Sequence, residues 1–320
     1  MRTLDITTLG FGGAPLAGLY AAVSEAAAFE ALQAAWDAGV RYFDTAPLYG
    51  FGLSEQRIGA FLRTKPRHEF VLSTKVGRRL RPRTGAGDTG GSLGAFVDAL
   101  ANDAVFDFSA DGVRRSLEES LTRLGLDRID LALIHDPDDH FDVALHEAYP
   151  VLRDLRENGV LRAIGAGMNQ WQMLEQFIER CDFDAVLLAG RYTLLERSAS
   201  ATFLPLCARR GVTVIAAGVF NSGILAQSDP ADDATYNYLT APADVIARAR
   251  AMARACAAYG TTLPAAAAQF PLRNPAVASV LLGMRSAAEV GANVGYLAES
   301  LPDALWEELD RIGTAQPAIS

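Results

Sequence analysis

Eight times over, the chain runs from a short apolar stretch, through a turn bearing glycine or proline, into an amphipathic stretch of helical period. The apolar runs are 9–15, 41–46, 70–76, 129–137, 162–169, 185–193, 212–220 and 277–284. Strands that alternate with helices lie parallel, because each crossover helix carries the chain back to the same end of the sheet. Most of these runs are continuously apolar rather than alternating, the pattern of strands covered on both faces. Eight such units in 320 residues match a closed (β/α)8 barrel in number and length. An open, doubly wound sheet is the runner-up, and it lacks a G-x-G-x-x-G between the first strand and the first helix. Ser24 is placed to cap the first helix, and Gly39, Gly125, Gly159 and Gly211 stand where helices must end. No linker interrupts the pattern, so residues 1–320 read as a single domain, with PDALWEELDRIG as a terminal helix outside the repeat.

Two segments break the rhythm. Residues 78–108 and 226–242 read as long loops after the third and seventh strands, and both leave the barrel at the strand ends where active sites sit. The arginines of 78–83 are the densest basic cluster and read as a solvated loop. A net charge of −9 and the lack of a basic stripe argue against nucleic acid as a partner. No apolar run approaches the roughly 20 residues of a membrane helix, and the start, MRTLDITTLG, lacks a secretory pattern. Cys181, Cys207 and Cys256 are far apart, which argues against a disulfide framework or zinc knuckle and suits a reducing cytoplasm. Asp138, Asp139 and His140 read as an acidic loop, so no metal is expected. A cytoplasmic protein, monomeric or a small homo-oligomer, acting on a small molecule is the expectation.

Four polar residues fall at the ends of successive strands: Asp44 and Tyr49 after the second, Lys75 on the third and His135 on the fourth. Singly, three have ordinary explanations: an aspartate capping a turn, a half-buried tyrosine, a histidine satisfying backbone groups. Lysine inside STKVG is different, since a lysine within an apolar strand needs a partner. Together they form a proton relay. A free phenol has a pKa of about 10, a neighbouring ammonium lowers it, and a carboxylate keeps the ammonium charged. An imidazole at the same face can orient a substrate oxygen, which suits carbonyl–alcohol interconversion. Lys75 alone also suits a Schiff-base enzyme of the aldolase kind.

These residues, in FDTAPLYG, STKVG and IDLALIHDPD, together with SLEESLTRLGLDRIDL, IGAGMN and GMRSAAEVGAN, resemble the aldo-keto reductase family, and within it the bacterial aldose 1-dehydrogenase branch. The resemblance implies a (β/α)8 barrel, a nicotinamide cofactor and Asp44, Tyr49, Lys75 and His135 as the catalytic tetrad. It further implies cofactor contacts from Asn169 to the carboxamide and from Gly283, Arg285, Ser286, Glu289 and Asn293 to the adenosine half. Met168, Ala189 and Ala217 replace the family's usual serine, glutamine and aromatic platform, which leaves Phe220 as the substitute platform. Glu289 opposes a 2′-phosphate and Arg285 favours one; the balance is for NAD over NADP. His140, Trp171, Arg191, Tyr192 and Asn221 are the substrate-contact candidates. The implied reaction is oxidation of an aldose at C1, of L-fucose, D-arabinose or L-galactose type. Pyridoxal 4-dehydrogenase or general aldehyde and ketone reductase activity is an alternative, and a non-catalytic nicotinamide-binding regulatory subunit is one from another class.

Overall fold

The computed structural model describes residues 4–83 and 96–314; residues 84–95 of the first insertion lie outside them. In chain order the strands are β1 (Leu9–Gly12), β2 (Tyr42–Asp44), β3 (Val71–Val76), β4 (Arg78–Pro82), β5 (Asn102–Phe106), β6 (Leu131–His135), β7 (Ala163–Met168), β8 (Ala185–Ala189), β9 (Thr213–Ala217), β10 (Thr235–Tyr236), β11 (Leu239–Thr240) and β12 (Val277–Gly283). Eight of them close into a parallel barrel in the order β1-β12-β9-β8-β7-β6-β3-β2, while β4-β5 and β10-β11 form separate antiparallel pairs. The helices are α1 (Glu25–Asp37), α2 (Leu53–Leu62), α3 (Ala110–Leu124), α4 (Phe141–Val143), α5 (Tyr149–Glu157), α6 (Gln172–Arg180), α7 (Phe203–Arg210), α8 (Ala243–Ala258), α9 (Leu263–Gln269), α10 (Ala287–Ala298) and α11 (Asp303–Thr314). Ser24 caps α1 by accepting from the Ala27 amide, as its position predicts. Among the described residues no helix is long and apolar enough to cross a membrane.

Side chains alternate between two cores. Phe43, Leu72, Val76, Ala132 and Ile134 point outward into the layer between strands and helices. Tyr42, Val71, Leu131, Leu133 and Leu281 fill the barrel interior. Gly10 makes room for this inner layer: a Cβ there would lie 2.7 Å from the Tyr42 ring and 2.9 Å from Leu281. A strand's period of two then decides which residues reach the barrel mouth. On β2 the inward positions are Tyr42 and Asp44, on β3 Val71, Ser73 and Lys75, and on β6 Leu131, Leu133 and His135. Register pairs Asp44 with Ser73 and Lys75 with Leu133, so the inward chemistry converges at the carboxyl ends.

The insertions are more ordered than their composition predicts. Residues 78–82 and 102–106 pair as the β4–β5 hairpin, and the arginine cluster is not a solvated loop at its start. Arg78 bonds Asp136 and Arg79 bonds Glu119, both guanidinium groups being mostly buried. These strands are polar and distant in sequence, so no apolar alternation announces them. In 226–242 the short β10–β11 pair turns at Asn237 and Tyr238, both at positive φ.

Candidate active site

At the barrel mouth Asp44 and Lys75 are each 1% exposed. Lys75 Nζ donates to Asp44 Oδ2 at 2.7 Å and to the Thr45 carbonyl at 3.0 Å. Ser73 Oγ donates to Asp44 Oδ1 at 2.7 Å and lies 3.0 Å from the Tyr42 hydroxyl, so both carboxylate oxygens are held. Tyr49 stands on a tight turn through Gly52 in which Gly50 and Phe51 take left-handed backbone angles. Its half-buried ring stacks on Phe96 with centroids 6.3 Å apart, meets the His135 ring edge-on at 5.9 Å, and has Lys75 Nζ 4.6 Å from its centroid.

Burial dominates the electrostatics. It pushes the Tyr49 phenol above its usual range, and the opposing pull of the Lys75 ammonium does not cancel it. Lys75 pulls the phenol toward acidity as expected, but burial outweighs that pull and the net direction is upward. Lys75 itself is disfavoured as a cation by burial, yet Asp44 and Tyr49 outweigh this and raise its pKa. Burial, then the charges of Lys75 and Arg78, hold His135 far below the ordinary histidine range, so it is neutral at physiological pH. Its Nδ1 is buried and has no hydrogen-bond partner among the described residues.

Two residues absent from the sequence-based candidates stand beside His135. Asp136 lies at φ +42° with its carboxylate 3.2 Å from Arg78 Nη2 and 3.6 Å from His135 Nε2. Its only sequence signal is adjacency to His135; Arg78 is 58 positions away.

A groove of about 470 Å³ runs beside this cluster, from Asn169 across the β8 and β9 ends to α10. The four clustered residues are not among its lining, whereas Asn169, Arg191, Phe220, Asn221, Gly283, Arg285, Glu289 and Asn293 are. Gly190 and Gly218 line it with bare backbone at positive φ; a Cβ on Gly218 would sit 3.0 Å from the Gly190 nitrogen. Arg191 bridges the Asn169 carbonyl at 2.7 Å and Asn237 at 2.9 Å. Asn221, buried and at positive φ, accepts from Thr193 and donates to the Gly190 carbonyl, tying two strand ends together. Ser286 caps α10 through the Glu289 amide. Glu289 accepts from the Arg285 guanidinium at 2.8 Å and from its backbone amide at 2.8 Å. A long groove with exposed backbone, an amide side chain at one end and a cation and Asn293 at the other fits a dinucleotide.

Three substrate candidates lie elsewhere. Tyr192 turns into the outer core and packs on Phe270, with centroids 5.1 Å apart. His140 packs against Phe106 and Phe108 of the hairpin region. Trp171 Nε1 donates to Ser198 Oγ at 2.9 Å. Among the described residues there is no cluster able to hold a metal ion.

Comparison with known proteins agrees with the barrel fold. The pattern of the Aldo/keto reductase family matches residues 8–314. The chain is 46% identical over 311 residues to D-threo-aldose 1-dehydrogenase of a Pseudomonas species, covering 96% of this chain and 94% of that one. It is 42% identical over 327 residues to pyridoxal 4-dehydrogenase of Microbacterium luteolum, with the same coverage. An aldo-keto reductase from Bacillus halodurans in its holo form superposes with a TM-score of 0.78 at 24% identity, covering 98% of this chain and 94% of that one. That likeness establishes the fold.

Proposed function

The chain belongs to the aldo/keto reductase family, and on that premise we propose that it oxidises the C1 hydroxyl of an aldose to the lactone, with Tyr49 as the acid–base group. The substrate class is of L-fucose, D-arabinose or L-galactose type, in keeping with the relative named for an aldose. The observation that carries the chemistry is the placing of Lys75 Nζ, 2.7 Å from Asp44 Oδ2 and 4.6 Å from the Tyr49 ring centre. A nicotinamide cofactor in the groove would be held by Asn169 and Phe220 at one end and by Arg285, Ser286 and Asn293 at the other. When bound it supplies the acceptor for the C1 hydride; NAD is the favoured form, since Glu289 occupies Arg285.

Tyr49, as phenolate, takes the proton of the C1 hydroxyl while C1 becomes the lactone carbonyl carbon. Lys75 stabilises the phenolate through its fixed charge, and Asp44 keeps that charge in place. Neutral His135 donates from Nε2 to the reacting oxygen and orients it. Burial of the cluster strengthens each of these interactions by keeping water out. In the reverse direction the same phenol protonates the developing alkoxide. A second reading, oxidation of pyridoxal, draws on the relative of that name and on the aromatic face that Phe96 and Tyr49 offer to a planar ring. The same proposal takes residues 1–320 as one domain working in the cytoplasm.

Tyr49→Phe tests the assignment. Hydride transfer should fall by at least about a hundredfold, while cofactor binding, followed by quenching of protein fluorescence, is retained. Substantial turnover in that variant would remove Tyr49 from the chemistry.

A further inference from the structure

Asp136 is an acid beside the catalytic cluster that this mechanism leaves unused, and its setting is that of a binding group. Non-glycine residues seldom adopt positive φ, and a backbone held at +42° directly after His135 marks a side chain aimed by its surroundings. Two neighbours do the aiming: Arg78 Nη2 donates to Oδ2 at 3.2 Å, and His135 Nε2 stands 3.6 Å from the same oxygen. The last distance is too long for a hydrogen bond, so Nε2 and Oδ2 lie side by side without bonding each other, and Oδ2, which accepts from Arg78, keeps a second lone pair for a ligand. One donor and one acceptor at this separation match the two oxygens of a vicinal diol.

We propose that Asp136 is a specificity-determining residue, accepting a hydrogen bond from the substrate hydroxyl on the carbon next to the reacting one, with Arg78 holding the carboxylate in position. The inference rests on the reading of C1 oxidation, under which the hydroxyl in question is that on C2. A substrate lacking it leaves a largely buried carboxylate without a donor, a strong basis for rejection.

The test compares D-arabinose with 2-deoxy-D-ribose, which differ only in the C2 hydroxyl. The enzymes are the wild type, Asp136→Asn and Asp136→Gly, chosen because asparagine and glycine both tolerate the left-handed backbone. The wild type should prefer D-arabinose in kcat/KM by about 10- to 100-fold, the worth of a hydrogen bond to a charged group. Asp136→Gly should bring that preference below about threefold through loss on D-arabinose alone, and Asp136→Asn should reduce it severalfold. A wild type that uses both sugars equally overturns the proposal without any variant. So does a fall on both sugars together, or an unchanged ratio in the variants, either of which makes Asp136 a latch for the β4–β5 hairpin. Oxidation of none of D-arabinose, L-fucose and L-galactose by the wild type overturns the C1 reading and this inference with it.

Discussion

Replacing Asp44 by asparagine asks whether Lys75 is charged because of its partner. Both side chains are 1% exposed and their charged atoms are 2.7 Å apart. Asparagine keeps the volume and can still accept from Ser73, so what it removes is the negative charge. Burial alone pushes the Lys75 pKa down; Asp44, followed by Tyr49, reverses that and leaves it raised. Deleting one partner of a buried pair costs about 3–5 kcal/mol. An unfolding entropy of about 2.1 cal/mol/K per residue, over 320 residues, is about 0.7 kcal/mol/K. The variant should therefore melt about 4–7 °C below the wild type at pH 7. In the wild type the folded pKa exceeds the unfolded value of about 10.4, so the lysine's contribution is complete below pH 10.4 and is lost only as pH rises through the folded value. In the variant the order reverses: burial puts the folded pKa below 10.4, and the penalty shrinks as pH rises toward it. Scanning calorimetry of both proteins from pH 6 to 10 reads the difference. A gap under about 1 °C at pH 7, or one that widens with pH, would refute the argument.

Because burial raises the Tyr49 pKa, the phenol is protonated throughout the neutral range, so the rate of aldose oxidation should climb with pH between 7 and 10. His135, held low and neutral, should add no step near its ordinary pKa of about 6.5; a flat oxidation profile, or a step at that pH, would contradict these directions. Glu289→Gln frees the Arg285 guanidinium and removes a charge opposed to a 2′-phosphate. Since both groups are more than a third exposed, the kcat/KM ratio of NADP to NAD should rise only about two- to fivefold, and a fall in that ratio would count against the NAD assignment.

Asp44, Lys75 and His135 were legible because strand periodicity and chain order operate locally: each ends an apolar run, and eight such runs imply one shared face. Caps such as Ser24 were legible for the same reason. Tyr192 shows the limit. Its place after β8 was readable, yet whether it turned to the groove or to Phe270 depended on a helix end nearly eighty residues further along the chain. The β4–β5 hairpin shows another, since its strands carry charge where a buried strand would carry an apolar pattern, and ion pairs to α3 and Asp136 hold it.

By itself the sequence determined the number of βα units, the parallel barrel they build, and which strands end in titratable groups. Only the tertiary structure decided how those groups are satisfied. Barrel closure sets the register that brings Ser73 and Thr45 to the Asp44–Lys75 pair, and it draws Arg78 across 58 positions to Asp136. It also decided the protonation balance, because desolvation is a property of the surrounding packing. The sequence shows a lysine that can acidify Tyr49, and the packed site shows burial outweighing it.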